Sequence, residues 1–521
     1  MVMVMGLACA GDNDVISLRV YEAHQVEMKP TVTVTPEMSK GDLIVVQGRE
    51  PQSLDPQRVT DSFSRNVLDN VFDTLVYRNE DLSFEPGLAL SWRALDNVTW
   101  ELVVRRGVTF HDGEAFTAED VKFTLERPLT TPYPLDSIKT RFSIIKQVDV
   151  IDRYTVHIIT NEPYPMLVAR LSEWYILPRN YDRVVEEEGG VHVPIGTGAY
   201  QFRVWQQGVK VSLEANPAYW RGRPQIKAVT FLFEPDATKR LQMLLRDEAD
   251  LVVDLSTRLI NAFDRDYTID VRLVPSTYIQ YVALDGTKHP ALADERVRKA
   301  LQYATDVDSI VENVFHYAAK PIAVPLAHDT FGYPTRLEPY GYDLEVARRL
   351  LAEAGYPNGF KMRLDAPVGR YPHDEETVQM LVAQWELVGV EVELRLHDWD
   401  TQLYLYQTDD GALLAEAHYM GWGTRTFDAD DILYSAFAKQ PNKSHYNNPA
   451  VTNLVTKARR SMAPTERERL YAAALDIIYA DVPWIFLFQQ YDVYAVNRHL
   501  GWRPRHDQRL DVWSMVWEEG V

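Results

Sequence analysis

At 521 residues the chain carries about three to four domains' worth of material, at roughly 150 residues each, and needs no staple to bury a core. Hydrophobic residues at 46% and charged residues at 25% exclude a disordered, collagenous or low-complexity protein. The 54 Lys and Arg face 75 Asp and Glu, and a net charge of −21 leaves no overall basic footprint for nucleic acid or anionic lipid.

The N-terminus stands apart. Met1 to Ala8 is apolar, Cys9 follows, and Gly11-Asp12-Asn13-Asp14 turns abruptly polar. This order fits the tail of a lipoprotein export signal, with Cys9 as the acylated first residue of the mature chain. The alternative is a frayed end with an incidental cysteine. Residues 15–39, rich in Thr, Val, Glu and Pro, read as a tether, so residues 1–39 are signal remnant and linker. As the sole cysteine, Cys9 excludes an intrachain disulfide, a zinc ribbon, a CxxC redox motif and an iron–sulfur cluster. No stretch approaches the ~18 uninterrupted apolar residues of a membrane span.

From Gly41 onward helices and strands alternate. Leu43 to Val46 is a short apolar strand, and the loop Glu50 to Pro56 carries two prolines. Asp61 and Ser62 are candidate N-caps for a helix from about Ser64, with Val67, Val71 and Leu75 on one face. Val98, Trp100, Leu102 and Val104 alternate as a half-buried strand. Thr117 with Asp120 predicts a capping box for a helix through Leu125. Tyr200, Phe202 and Val204, then Val209 and Val211, alternate before a turn at Asn216-Pro217. Asp294 caps a helix with Val297, Ala300, Leu301 and Ala304 on one side. Asp343 opens another that ends at Gly355, and Glu375 to Leu387 is a third that ends near Gly389. Val390 to Leu396 alternates as a strand. Pro464 starts a helix to about Ala480, before the apolar strand Trp484 to Phe488. The class is α/β or α+β with several sheets.

The screen for catalysis is negative. No HExxH, GxSxG or P-loop sequence occurs. Gly196-x-Gly198 leads into a strand and lacks a third glycine at the right spacing, so it reads as a plain turn. His373-Asp374-Glu375-Glu376 reads as a solvated acidic helix start that suits the dipole. Asp428-Ala429-Asp430-Asp431 lacks the glycine and distal glutamate of a calcium loop and reads as a helix N-terminus. No metal set and no cofactor are expected. The positive signal is aromatic: 12 Trp, 28 Tyr and 18 Phe, many in loops as in Gly421-Trp422-Gly423, where they suit a recognition cleft.

A series of collinear motifs then carries a resemblance. They include Gln52-Ser53-Leu54-Asp55-Pro56, Pro86-Gly87-Leu88-Ala89, and Arg106-Gly107-Val108-Thr109-Phe110-His111-Asp112-Gly113. Further on stand Gly196-Thr197-Gly198-Ala199-Tyr200, Asn216-Pro217-Ala218-Tyr219-Trp220, Arg296-Val297-Arg298-Lys299-Ala300-Leu301, Ala354-Gly355-Tyr356-Pro357 and Gly421-Trp422. From Gly41 to its end the chain resembles the family 5 extracellular solute-binding proteins, the dipeptide- and oligopeptide-binding components of ABC importers.

The resemblance implies an α/β fold of the periplasmic-binding-protein type: a two-lobed clamshell with three domains, one of them inserted into the larger lobe. Domain I is expected from residues 40–75, 191–272 and 481–521, inserted domain II from 76–190, and domain III from 273–480. Strands near Val271 to Leu284 and Trp484 to Val496 would form the hinge, and ligand would be buried between the lobes on closure. The implied ligand-binding residues are Trp422, Gly423, Thr424, Arg425 and Asp428, with Thr60, Ser62 and Phe63. The implied role is a non-catalytic receptor that hands a peptide, peptide-like or other small polar solute to permease subunits. It would be a monomer in the periplasm or at the cell surface, held to the membrane by lipid at Cys9, with no nucleic-acid partner, metal or cofactor. Two alternatives stay open: a secreted hydrolase of a similar ligand, and a sensory or chaperone-like binding protein without a transporter.

One departure from the family pattern concerns polarity. Peptide-binding relatives carry Trp-x-Ala-Asp, whose aspartate pairs with the ligand's amine, and here the run is Trp422-Gly423-Thr424-Arg425. A desolvated guanidinium repels an amine and suits carboxylates, phosphates and rings. The alternative is that Arg425 turns to solvent or pairs with Asp428, or that Asp428 replaces the missing amine anchor.

Overall fold

The computed structural model describes residues 41–79, 81–130, 136–182, 193–263, 268–442 and 445–518. Cys9 and the tether lie outside the described residues.

A mixed sheet of eleven strands organises the described chain. Its order is Glu391–His397, Lys361–Pro367, Ala417–Gly423, Ile269–Leu284, Trp484–Asn497, Leu251–Val252, Asp42–Gln47, Ala228–Phe233, Lys210–Ala215 and Tyr200–Gln206, with Ala319–Pro321 pairing on Trp484–Asn497. The two long central strands pair antiparallel. Ile269 to Pro275 faces Tyr491 to Asn497, beside Leu251–Val252 and the N-terminal strand. Ile279 to Ala283 faces Trp484 to Gln489 and pairs onward to Ala417–Gly423. The register slips between Pro275 and Ile279. Proline cannot donate to a ladder, so regular pairing stops at Pro275 and resumes at Ile279, with a further shift between Gln280 and Tyr281.

Side-chain alternation along these strands separates the cores. Ile485 and Leu487 enter a core with Leu301, Leu364, Leu381 and Trp385. Trp484 and Phe486 enter another with Ile279, Phe437, Leu475 and Ile478. A strand buried on both faces reads as a continuous apolar run, which is why Trp484 to Phe488 lacks alternation. Leu43, Val45, Phe72, Tyr200, Phe231 and Val496 build a core in the other half. Trp100, Leu102, Val104, Phe116 and Val121 build a further one between helix Ala118–Thr130 and a four-stranded sheet, Ala89–Ala94, Thr99–Val104, Thr155–Thr160 and Ile145–Asp152.

Most expected elements are present, with corrections. Asp61 caps Ser62–Val71 by accepting from Ser64 N, but the helix ends at Val71, so Leu75 packs from beyond it. Asp294 caps Glu295–Tyr303, Asp343 caps Leu344–Glu353, and Gly355 and Gly389 take positive φ of 92° and 84° just past their helices. The capping box at Thr117 forms by half: Asp120 Oδ2 accepts from Thr117 N at 2.8 Å, but the Thr117 hydroxyl donates to the same oxygen at 3.0 Å instead of accepting from the backbone. Asp374 is not solvated. It is 4% exposed, and its carboxylate accepts from the backbone N–H groups of Gly369, Arg370, Tyr371 and Glu375.

The family motifs prove to be joints. Asp55 is fully buried and accepts from Arg127 Nη2 at 2.8 Å, while Arg127 Nε reaches Asp182 at 2.9 Å. A Cβ at Gly198 would lie 2.5 Å from the Val71 carbonyl carbon, so the 196–200 turn seats on the end of helix Ser62–Val71 only without a side chain there. Thr197, Tyr219 and Trp220 then donate to Asp73 at 2.8–2.9 Å.

His418, on the strand Ala417–Gly423, is 1% exposed, and burial, with the charge of Lys288 second, pushes its imidazole down to about 4. Its unfolded value lies near ~6.5, so the neutral native form contributes stability that is full above that pH and is lost as pH falls toward about 4. His418→Gln should therefore shrink the stability difference between pH 8 and pH 5, read from urea unfolding, by about 2 kcal/mol. An unchanged difference would contradict the assignment.

Candidate ligand-binding cleft

The strand Ala417–Gly423 delivers one wall. Trp422 is half-buried against the core of Ile279 and Phe486, and pairs in register with Ile279. Gly423 faces the Tyr278 ring, where a Cβ would come within 2.8 Å, so that position excludes a side chain. Thr424 is buried and Arg425 follows, leaving the sheet and reaching the opposite half, where its Nη2 donates to the Thr60 carbonyl at 2.5 Å. Arg425 Nη1 is buried with no hydrogen-bond partner among the described residues.

Thr60 is exposed and sits immediately before helix Ser62–Val71, with Ser62 and Phe63 half-buried in the first turn. Asp61 fixes that turn through Ser64 N and Ser64 Oγ at 2.8 and 2.7 Å, and the Phe63 carbonyl accepts from Gln47 Nε2 at 3.2 Å. The structure thus brings Thr60 and Arg425 into direct contact, although 365 positions separate them.

Asp428 goes elsewhere. It is 7% exposed, and both its oxygens accept from Arg467 Nη2 at 2.7 Å. Burial raises its carboxyl above the ordinary range while Arg467 opposes the shift. Arg425 therefore neither pairs with Asp428 nor swings free. Asp430 pairs with Arg459 and Asp431 with Arg170, so this acidic run is matched by arginines. No group of three or more His, Cys, Asp or Glu among the described residues is arranged to hold a metal ion.

Several contacts join the halves besides Arg425–Thr60. Arg170 meets Asp431, Glu162 takes Arg460 Nη2 at 2.7 Å, Thr257 Oγ1 meets His373 Nε2 at 2.7 Å, and His506 meets Asp329 at 3.0 Å. The field around Arg425 is cationic. Burial, and after it the charge of Arg65, lowers its guanidinium to about 10; Arg141 pushes the same way, while Tyr278 and Glu173 oppose. Glu173, Arg65 and Arg141 carry no sequence motif, and the sequence reading missed them.

A cavity of about 890 Å³ lies on the side of Arg78, between the residue 77–85 hairpin and the C-terminal segment. It is lined by Arg78, Arg221, Arg272, Arg498, Arg503, Arg505 and Arg509. Much of that charge is spent internally: Arg505 on Asp507 at 2.7 Å, Arg498 on Asp270 at 3.1 Å and Arg509 on Asp69 at 3.5 Å. No helix among the described residues is long and apolar enough to cross a membrane.

The glutathione-binding protein GsiB of Pectobacterium atrosepticum is 29% identical over 487 residues, covering 90% of this chain and 92% of that protein. The solved periplasmic binding protein DppA from Helicobacter pylori, in complex with the peptide STSA, superposes with a TM-score of 0.77 at 26% identity, covering 92% of this chain and 98% of its own. HbpA2 from Haemophilus parasuis superposes with a TM-score of 0.81 at 26% identity over 92% of this chain and all of its own. With these the two-lobed fold is that of the periplasmic binding proteins. Residues 83–444 match the model of the bacterial extracellular solute-binding proteins, family 5. The chain belongs to that family.

Proposed function

We propose that the chain is the extracytoplasmic receptor of an ABC importer, which captures a peptide or peptide-like solute between its lobes by hinge closure and performs no catalysis. The observation that carries this reading is the Trp422–Arg425 segment reaching Thr60 from the opposite half, beside a buried guanidinium nitrogen that has no partner among the described residues. The separate apolar cores support a partition into domain I (40–75, 191–272 and 481–521), inserted domain II (76–190) and domain III (273–480). The slip between Pro275 and Ile279 is the natural hinge. Acylation at Cys9 would hold the receptor at the membrane near its permease, and the monomer is the acting form.

The relatives' names give the ligand range to test. Ligand-free protein, refolded after denaturation, should shift upward in melting temperature with one member of a panel of di- to pentapeptides, glutathione and opines. A ligand 100-fold above its dissociation constant adds about 2.7 kcal/mol. Steady release of a cleaved product from the pure protein, lost on a cleft substitution, would sink the reading in favour of a hydrolase.

A further inference from the structure

Glu173 is a buried carboxylate that its surroundings do not satisfy. It is 7% exposed, and its Oε1 is out of reach of solvent with no hydrogen-bond partner among the described residues. Its Oε2 has Arg170 Nη1 at 3.9 Å, the outer limit of an ion pair. Arg170 is itself drawn away: Nε donates to Tyr164 OH at 3.2 Å and Nη2 holds Asp431. Arg425, from the facing half, has the complementary defect in its bare Nη1. Arg170 ties the two places together: it reaches Glu173 and holds Asp431, whose other oxygen accepts from Thr426 Oγ1 at 2.6 Å, next to Arg425. Buried charges of opposite sign, each with an open valence and each held by its own half, fit a ligand that supplies both counter-charges.

The balance of charge says more. Arg170 sits between Glu173 and Asp431, and the charges of Arg65 and Arg141 add to the positive field on Arg425. Arg65 lies over the Tyr175 ring at 5.2 Å, with the charges of Asp69 and Glu173 acting on its guanidinium. Positive charge is in excess, so one ligand carboxylate does not neutralise the site.

We propose, resting on the cleft reading above, that the solute is an acid with at least two carboxylates and one ammonium group, such as an acidic dipeptide or a γ-linked peptide. Glu173 receives the ammonium, and Arg425, with Arg65 and Arg141 beside it, receives the carboxylates. The amine anchor has thus moved to the opposite lobe from the position that Arg425 occupies.

The test is calorimetry on refolded, ligand-free protein with Gly-Glu, Gly-Gln, N-acetyl-Gly-Glu and glutathione, the last as the γ-linked arm. Gly-Glu or glutathione should bind at least about tenfold tighter than Gly-Gln and N-acetyl-Gly-Glu, the loss expected for one charged hydrogen bond. Glu173→Gln should erase the preference for a free amine and keep the preference for the second carboxylate. Arg65→Gln should do the reverse, which separates a ligand role from a general loss of fold. Equal affinity for the acetylated and free peptides, or a preference that survives Glu173→Gln, would overturn the proposal, as would failure of all four probes. Tight one-to-one binding of a neutral peptide from the wider panel would leave the receptor reading standing while this proposal fell, whereas failure of every member of that panel would remove both.

Discussion

Arg467→Ala should cost about 3–5 kcal/mol of stability, far more than loss of a surface ion pair. Arg467 stands on helix Pro464–Asp481, is 6% exposed, and lies over the Phe331 ring at 4.9 Å. Its removal leaves Asp428 buried beside Asp430 and Asp431 with no cation of its own. The carboxyl of Asp428 is already raised by burial, and without Arg467 it rises further. A raised native value contributes stability below the unfolded value and loses it as pH rises, so the deficit of the variant should be larger at pH 8 than at pH 5. Arg467→Met with Asp428→Asn removes both charges and should recover most of the loss, because an apolar replacement of a whole buried pair is often neutral. Urea unfolding of the three proteins at both pH values checks this. A loss below about 1 kcal/mol for Arg467→Ala would place the pair among ordinary surface bridges.

Arg425 should dominate affinity as Arg467 dominates stability. Arg425→Ala should weaken binding by about 1.5–3 kcal/mol, the range for a hydrogen bond to a charged group. Arg425→Asp should weaken it further, since a carboxylate would oppose the ligand's anion, and should improve the binding of amine-bearing neutral peptides. Asp428→Ala should behave differently. Its partner is Arg467, so the substitution should lower the melting temperature and leave the ligand preference intact. Calorimetry with one identified ligand distinguishes them. Unchanged affinity in Arg425→Ala together with altered amine preference in Asp428→Ala would return the anchor to Asp428.

The contrast between these two residues shows how much the sequence could say. Local signals were legible because their physics is local: Asp61, Asp294 and Asp343 each cap the helix that follows. Gly421-Trp422-Gly423, read as a loop from its glycines, is instead the end of the strand Ala417–Gly423, because a glycine at 423 lets the Tyr278 ring lie against the backbone. The apolar run alone ends the strand from Trp484 at Phe488, the resemblance carries it to Val496, and the fold extends it to Asn497. In the fold Gln489 and Gln490 continue the ladder by pairing with Lys320 and Ala319, while their side chains bond across to Ser276, His328 and Gln280. Asp428 to Asp431 reads as a helix N-terminus from its sequence, and nothing local shows that Arg170, Arg459 and Arg467 reach it from three distant elements. Glu173, Arg65 and Arg141 were illegible for the same reason. Each is ordinary in its own segment, and the site exists only where the segments converge.

One solute should be bound between the lobes and released unchanged. Mass spectrometry of protein purified without denaturation, compared before and after denaturing, tests it most directly. One equivalent of a single small acid per chain should be recovered intact, and it should be missing from protein carrying Arg425→Asp. Recovery of no solute, or of the same solute in equal amount from Arg425→Asp, would contradict it.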